Sequence, residues 1–413
     1  MTGSETSGGP VGDEDRLVEG WRRDTPLVAT GRVHLNNAGA SPMPRPVVDR
    51  VVEHLRLEAE MGGYEAAAAC AEEIASVRGE VARLVGVRER NVALVESTTA
   101  GYAQALSAFD FGPGDVIVTT RNDYVSNQLM FLSLVRRRGV EVQRADDLPG
   151  GGVDPESVRS LLRRRRPALV ALTLVPTGSG LVQPGAAVGE LCATHGVPYL
   201  VDACQAVGQL VVDAGELRCD FLCASARKFL RGPRGVGFMT VSDSALGSGL
   251  VPLFPDLHGA TWTTPESFEP VPDARRFENW EFPYALVLGL GAAIRYALAA
   301  GIGCTTARAA RLAALARLRL GELDGVRVLD RGDRLGAIVA VELLGADARS
   351  GLLALRERGI QTSALERSGA LLELDDRGAR SALRISPHYF NTEGEIDRLV
   401  RELAKWLATQ GRV

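Results

Sequence analysis

The sequence predicts an α/β protein: a large domain with a mostly parallel sheet flanked by helices, followed by a smaller C-terminal α/β domain. Two observations carry this reading. Between residues 92 and 241, short β-rich runs alternate with stretches of helix length, and strands separated by helices pair in parallel with both faces covered. After about residue 245 the rhythm changes to a Pro-, Trp- and Thr-rich excursion, two long helices and a shorter alternation. A chain of 413 residues is also long enough for about two or three domains.

Taken in order, the segment Met1–Arg16 is Gly/Ser-rich and acidic without an apolar core, so it reads as a disordered tail rather than a signal peptide. Apolar residues recur at helical spacing over Pro46–Glu60 and Ala69–Val85. Strands are expected at Val92–Glu96, Asp115–Thr119, Ala168–Val175, Pro198–Asp202, Asp220–Ala224 and Val236–Val241. Helices are expected between them at Thr99–Phe109, Val125–Arg138, Pro155–Arg165 and Pro184–His195. Pro252–Pro272 reads as irregular. The apolar stretch Tyr284–Gly303 is interrupted by Arg295 and reads as a buried helix rather than a membrane span. A helix near Thr305–Leu323 follows, and then strands at Ala337–Leu343 and Ala382–Ile385 bracket a helix near Ser350–Gly359. In the last helix, Thr392 and Glu395 have the spacing of a capping box. The expected division is a tail over 1–25, a large domain over 26–285 and a small domain over 286–413. The first segment of the large domain is a candidate to pack on the small one.

Composition narrows the function. The 47 basic and 51 acidic residues nearly cancel, which argues against a nucleic-acid surface, because such surfaces concentrate positive charge. The run Arg163–Arg166 reads as a solvated helix end. Six cysteines, mostly inside apolar runs, suit a reduced, cytoplasmic protein. Cys219 and Cys223 lack the further ligands a metal site needs, so none is expected. Only Lys228 and Lys405 are lysines; the remaining basic residues are arginines. Arginine stays protonated and cannot serve as an amine nucleophile or proton carrier, so a retained lysine marks a position where those properties count.

Ligands of parallel sheets gather at the carboxyl ends of the strands, and three of those ends are polar here. Pro198-Tyr-Leu-Val-Asp202 ends in a carboxylate, with Gln205 close behind. Asp220-Phe-Leu-Cys-Ala224 runs into Ser225-Ala-Arg-Lys228. Val92-Ala-Leu-Val-Glu96 runs into Ser97-Thr-Thr-Ala100 at the start of a helix, where free N–H groups and the helix dipole favour an anion. A lysine for an aldehyde, a carboxylate for a pyridinium nitrogen and donors for a phosphate together describe a pyridoxal phosphate site.

With these stretches, together with Leu35-Asn-Asn-Ala-Gly-Ala40 and Arg384 to Glu393, the sequence resembles the class V aminotransferase and cysteine desulfurase family of fold-type I pyridoxal phosphate enzymes. The resemblance runs from about residue 30 to 410. It implies that Lys228 holds the cofactor and moves protons at Cα. Asp202 would pair with the ring nitrogen, Gln205 would bond the phenolic oxygen, and Thr98, Thr99, Ser225 and Arg227 would hold the phosphate. Arg227 stands where the family commonly has histidine, yet keeps a cation and a fork for phosphate. Tyr124 replaces a ring-stacking histidine and is assigned stacking only. Arg384 would grip a substrate carboxylate, and Asn36 and Asn37 would contact the same substrate. His195 reads as structural.

Within the family, Glu58–Tyr64, Arg227–Arg234 and Arg276–Glu281 look most like the branch containing hercynylcysteine sulfoxide lyases, related C–S lyases and isopenicillin-epimerase-like proteins. The leading expectation is a β-lyase that cleaves the Cβ–S bond of an S-substituted cysteine, releasing pyruvate and ammonia. The alternatives are an aminotransferase or epimerase, and a non-catalytic module on the same fold. The stretch from Thr305 to Arg384 contains no cysteine, which disfavours a persulfide-forming desulfurase. The family resemblance further implies a homodimer, with Glu278–Pro283 and the nearby Trp-rich loop as candidate contacts, and no membrane partner.

Overall fold

The computed structural model describes residues 12–410. Its centre is a seven-stranded sheet in the order Val92–Val95, Gly237–Val241, Phe221–Ser225, Tyr199–Asp202, Leu169–Thr173, Val116–Thr119 and Glu141–Arg144. Gly237–Val241 is antiparallel to both neighbours, and every other pairing is parallel. Successive side chains of a strand point to opposite faces, and these strands are apolar on both. Ile117, Leu169, Leu200 and Phe221 meet Tyr102, Leu106 and Phe131 from the helices Thr98–Ser107 and Val125–Arg138. Val118, Val170, Val201 and Leu222 belong to the other layer, with Val158, Leu162, Val188 and Leu191 from Pro155–Arg164 and Gly185–His195. Burial on both faces is why these strands read as continuous apolar runs.

A second, antiparallel sheet holds Val326–Val328, Val339–Leu343, Ser381–Ile385 and Ser363–Glu366 in that order. The short strand Val33–His34 pairs in parallel with Ile360–Gln361, and Asn36 bridges to Ser386. The first strand is thereby tied to the C-terminal part of the chain. Tyr284–Ala300 packs against Arg45–Met61 and Ala71–Val85. No single described helix is long and apolar enough to cross a membrane; Tyr284–Ala300 and Ile302–Gly321 are apolar together but bend by 81°.

Two expectations change. The tail expected over 1–25 is helical from Asp13 to Arg23, while its first eleven residues lie outside the described ones. Val18 and Trp21, one helical turn apart, are buried against Tyr389 and Phe390, with the Trp21 and Tyr389 rings edge-on at 4.9 Å. The tertiary partner lies near the other end of the chain, so local composition did not reveal it. The excursion Pro252–Pro272 contains an antiparallel hairpin, Ala260–Thr264 with Ser267–Pro270. The helix expected over Ala69–Val85 forms as Ala71–Val85, preceded by a separate helix, Gly63–Ala69, that ends at Cys70. The capping box forms, with Glu395 N–H donating to Thr392 Oγ1 (3.3 Å) and Thr392 N–H to Glu395 Oε2 (3.2 Å).

The loop after Phe221–Ser225 is held from several sides. Ala226 N–H donates to Val236 O, and Gly232 N–H to Ala226 O. Gly208 has φ +90° and lies so close to Phe229 and Leu230 that a Cβ would fall 2.3 Å from the Phe229 carbonyl carbon. Arg231 adopts a left-handed φ of 60°, costly for a side chain of this size. Its buried guanidinium donates to Pro42 O, Tyr389 Oη and Thr25 Oγ1, and lies 4.5 Å from the Phe390 ring centroid. His388 Nε2–H donates to Phe229 O (2.7 Å), and Nδ1 accepts from Tyr389 N–H (3.0 Å). With one nitrogen forced to donate and the other to accept, the ring is held neutral.

Burial, with the nearby Arg231 charge, pushes His388 down to about 3. Below its ordinary 6.5, the unfolded chain takes up a proton there that the folded chain does not accept until about pH 3. Stability therefore falls as pH drops through that window, by about 2 kcal/mol between pH 6.5 and 5. Urea unfolding over this range should show the decline, and His388→Gln should flatten it by one proton's worth of slope; an unchanged slope would count against the neutral histidine.

Candidate active site

A cavity of about 290 Å³ opens at the carboxyl ends of the parallel strands. Thr173, Asp202 and Ser225 end three neighbouring strands, while Ser97–Thr99 follow a fourth that points the same way. All of these residues line the cavity, as do Tyr124, Gln205, Arg227 and Lys228. Topology thus gathers the polar strand ends that the sequence scatters over 130 residues.

Lys228 is 7% exposed, and among the described residues its amine has no hydrogen bond or ion pair. Nζ lies 5.7 Å from the centroid of the Tyr124 ring. Asp202 is 2% exposed. Its Oδ1 accepts from Cys204 N–H (2.9 Å) and its Oδ2 from Asn127 Nδ2 (3.1 Å), with no cation in ion-pair contact. Burial pushes this carboxyl above the usual range, against the pull of the Cys204 and Asn127 donors and the Lys228 charge.

At the start of Thr98–Ser107, Ser97 Oγ accepts from Ala100 N–H (3.2 Å). Thr98 donates its N–H to Ser225 Oγ (2.8 Å), and the two hydroxyls lie 2.9 Å apart. The Thr99 N–H has no partner among the described residues. Arg227 donates to Gly39 O from the cavity wall. Two hydroxyls, a free amide and a guanidinium at a helix N-terminus form an anion cradle.

Arg384, Asn36 and Asn37 do not line the cavity. Arg384 is connected to it through Thr177, whose carbonyl oxygen (3.0 Å) and Oγ1 (2.7 Å) accept from Nη1. Its buried Nε has no partner, and burial and then the Arg227 charge lower its pKa to about 10. Asn37 departs from its expected substrate contact, because its amide donates to Ser386 O (2.7 Å) and accepts from Ser41 Oγ (2.9 Å). Asn36 keeps a buried, unpartnered Oδ1. Gln205 donates to Ala38 O and Thr177 Oγ1, both at 3.0 Å, which leaves its buried Oε1 free.

The sequence reading missed Asn127, Asp123, Thr173 and Thr177. Asn127 sits three residues after Tyr124 on the first turn of Val125–Arg138, a spacing that shares a helix face. Thr177 lies in the Pro/Gly loop after Leu169–Thr173 and carried no signal of its own.

The unsatisfied groups match one molecule. A buried carboxylate without a counter-charge suits a protonated pyridine, an unpartnered buried lysine suits an aldehyde, and the cradle suits a phosphate. Tyr124 offers a ring face. The residues present therefore fit pyridoxal phosphate.

Comparison with known proteins agrees. The Aminotransferase class-V family matches residues 33–399. A probable hercynylcysteine sulfoxide lyase of Mycobacterium tuberculosis is 31% identical over 407 residues, covering 97% of this chain and 96% of that protein. The apo structure of a cysteine desulfurase from Thermococcus onnurineus superposes with a TM-score of 0.87 at 21% identity, covering 95% of this chain and 98% of that one. A variant of C-DES with glycine covalently linked to its pyridoxal phosphate cofactor gives 0.83 at 21% identity, covering 93% and 98%. The fold is thus fold-type I, the cofactor is pyridoxal phosphate, and the chain belongs to the class V aminotransferase family.

Proposed function

We propose that this enzyme is a carbon–sulfur β-lyase: an S-substituted cysteine and water give a thiol, pyruvate and ammonia, and the corresponding sulfoxide gives a sulfenate in place of the thiol. The observation that carries the reading is the segment Ser363–Arg380. A desulfurase needs a mobile cysteine there to attack the substrate sulfur, whereas this segment offers Ser363 and Ser368, and a hydroxyl is a poor nucleophile toward sulfur beside a thiolate. Cys304 is exposed at the start of Ile302–Gly321. Cys204 lines the cavity but is buried, its N–H bound to Asp202. The 31% identity to a probable sulfoxide lyase points the same way.

Bound pyridoxal phosphate supplies an aldehyde for the substrate amine and an electron-withdrawing ring that acidifies the Cα–H. Lys228 holds the cofactor, takes the Cα proton and delivers it to the leaving sulfur. Asp202 would keep the ring nitrogen protonated, and Tyr124 would offer its face to the ring. Thr98, Thr99, Ser225 and Arg227 would hold the phosphate, and Gln205 would bond the phenolic oxygen. Arg384, held at Thr177, takes the substrate carboxylate, and Asn36 keeps its free amide oxygen for the same substrate. The enzyme works as a homodimer: Phe254, Leu257 and Trp262 are 80%, 70% and 79% exposed on one excursion, an apolar surface suited to a second copy.

Lys228→Ala should remove both the anchor and the base, lowering turnover by about 10²–10⁴-fold or more and abolishing the visible absorbance of the lysine-linked cofactor. Substantial remaining activity would refute the assignment. Asp202→Asn keeps the shape but loses the charge, so kcat should fall by about two orders of magnitude, roughly 3 kcal/mol; a near-normal kcat would exclude that role.

The reaction itself is tested by incubating the enzyme with free cysteine, S-substituted cysteines and their sulfoxides, then quantifying pyruvate, ammonia and alanine. Pyruvate with equal ammonia from a conjugate supports the lyase. Rapid alanine from free cysteine, lost in Cys204→Ser, would restore the desulfurase. Amino transfer to an added keto acid without pyruvate release would indicate an aminotransferase.

A further inference from the structure

Asp123 lies just before Tyr124 and collects an unusual number of donors. Its Oδ1 accepts from Tyr124 N–H (2.7 Å), Thr173 Oγ1 (2.5 Å) and Asn127 Nδ2 (3.0 Å). Its Oδ2 accepts from Gln128 Nε2 (2.7 Å) and Thr119 Oγ1 (3.3 Å). Gln128 is in turn held by Arg144 Nη2 (2.7 Å). A carboxylate accepting on both oxygens from five groups on two strands and a helix start cannot rotate.

Asn127 is the buried link between this fixed carboxylate and Asp202. Its Nδ2 spans Asp123 Oδ1 and Asp202 Oδ2, and lies 3.3 Å from Thr173 Oγ1. Cys204 N–H holds the other oxygen of Asp202. With one donor on each oxygen, the plane of the Asp202 carboxylate is fixed. Remove Asn127, and only the Cys204 contact remains to oppose rotation about Cβ–Cγ.

We propose that Asp123 and Asn127 are positioning residues that register the two protein contacts of the cofactor ring. Through its bond to the Tyr124 N–H, Asp123 sets the stacking side chain; through Asn127 it sets the carboxylate that meets the ring nitrogen. One fixed group thus holds both side chains that would meet the ring. This rests on the proposed roles of Asp202 and Tyr124. Supporting groups of this kind commonly change activity by about 10–100-fold when removed.

The test uses holoenzyme carrying pyridoxal phosphate labelled with ¹⁵N in the ring, comparing wild type, Asn127→Leu and Asp123→Asn. Leucine keeps the branched outline of asparagine without its donors but is larger; Asp123→Asn is the milder change and carries the same test if Asn127→Leu does not fold. The expected result is kcat lower by about 10–100-fold with KM unchanged. The lysine-linked absorbance should remain, and the ring ¹⁵N signal should move toward that of unprotonated pyridine. Asn127→Ser, a shorter donor, should recover part of both. A lowered melting temperature with unchanged kcat and ¹⁵N signal would make the network merely structural and overturn the proposal. A wild-type ring nitrogen that is already unprotonated would instead overturn the role of Asp202, a separate failure.

Discussion

The site is organised around a carboxylate almost wholly withdrawn from water. Asp202 ends an apolar strand in the middle of the sheet, and an ionised carboxyl there is costly unless hydrogen-bonded and met by a cation. The protein supplies neutral donors to both oxygens and no cation in ion-pair contact. Strand order makes this possible. Leu169–Thr173 lies between Val116–Thr119 and Tyr199–Asp202, so the helix that follows Val116–Thr119 begins near Thr173 and brings Asn127 to Asp202.

Lysine placement follows a related logic with opposite charge. The loop carrying Lys228 has no regular structure of its own, and its shape comes from neighbours. The Arg231 guanidinium ties it to Thr25, Pro42 and Tyr389. The neutral His388 donates to Phe229 O, and Gly208 permits close approach on another side. None of these residues lines the cavity. They replace solvent around the loop with fixed contacts, so the amine is presented in one position without a partner that would neutralise it.

How much was legible in the sequence depended on whether a signal was local. The apolar strands were readable because burial on both faces leaves a continuous run, and their polar ends because a single carboxylate or hydroxyl after such a run stands out. Lys228 was conspicuous because the chain has only one other lysine, Lys405. Asn127 and Thr177 were not, since asparagine on a first turn and threonine in a loop are common and acquire meaning only from the strands packed beside them. The helix Asp13–Arg23 was missed because Trp21 finds its partner at Tyr389. Asn37 looked like a substrate ligand from its neighbourhood, but Ser386 and Ser41 occupy its amide.

The pairing of Val33–His34 with Ile360–Gln361 has a consequence for biosynthesis. Ala38 and Gly39, which follow the first strand, engage Gln205 and Arg227 at the cavity wall, yet that strand's partner lies 327 positions along the chain. At about 5–20 residues per second, roughly 15–65 s of translation separate the two. The nascent large sheet can assemble in that interval, but the wall beside Gln205 and Arg227 is not secured until the C-terminal sheet has been made. Cofactor capture is therefore set late, when the finished chain closes on itself, and a ribosome stalled after residue 300 would hold a well-formed sheet with an open, weakly binding pocket.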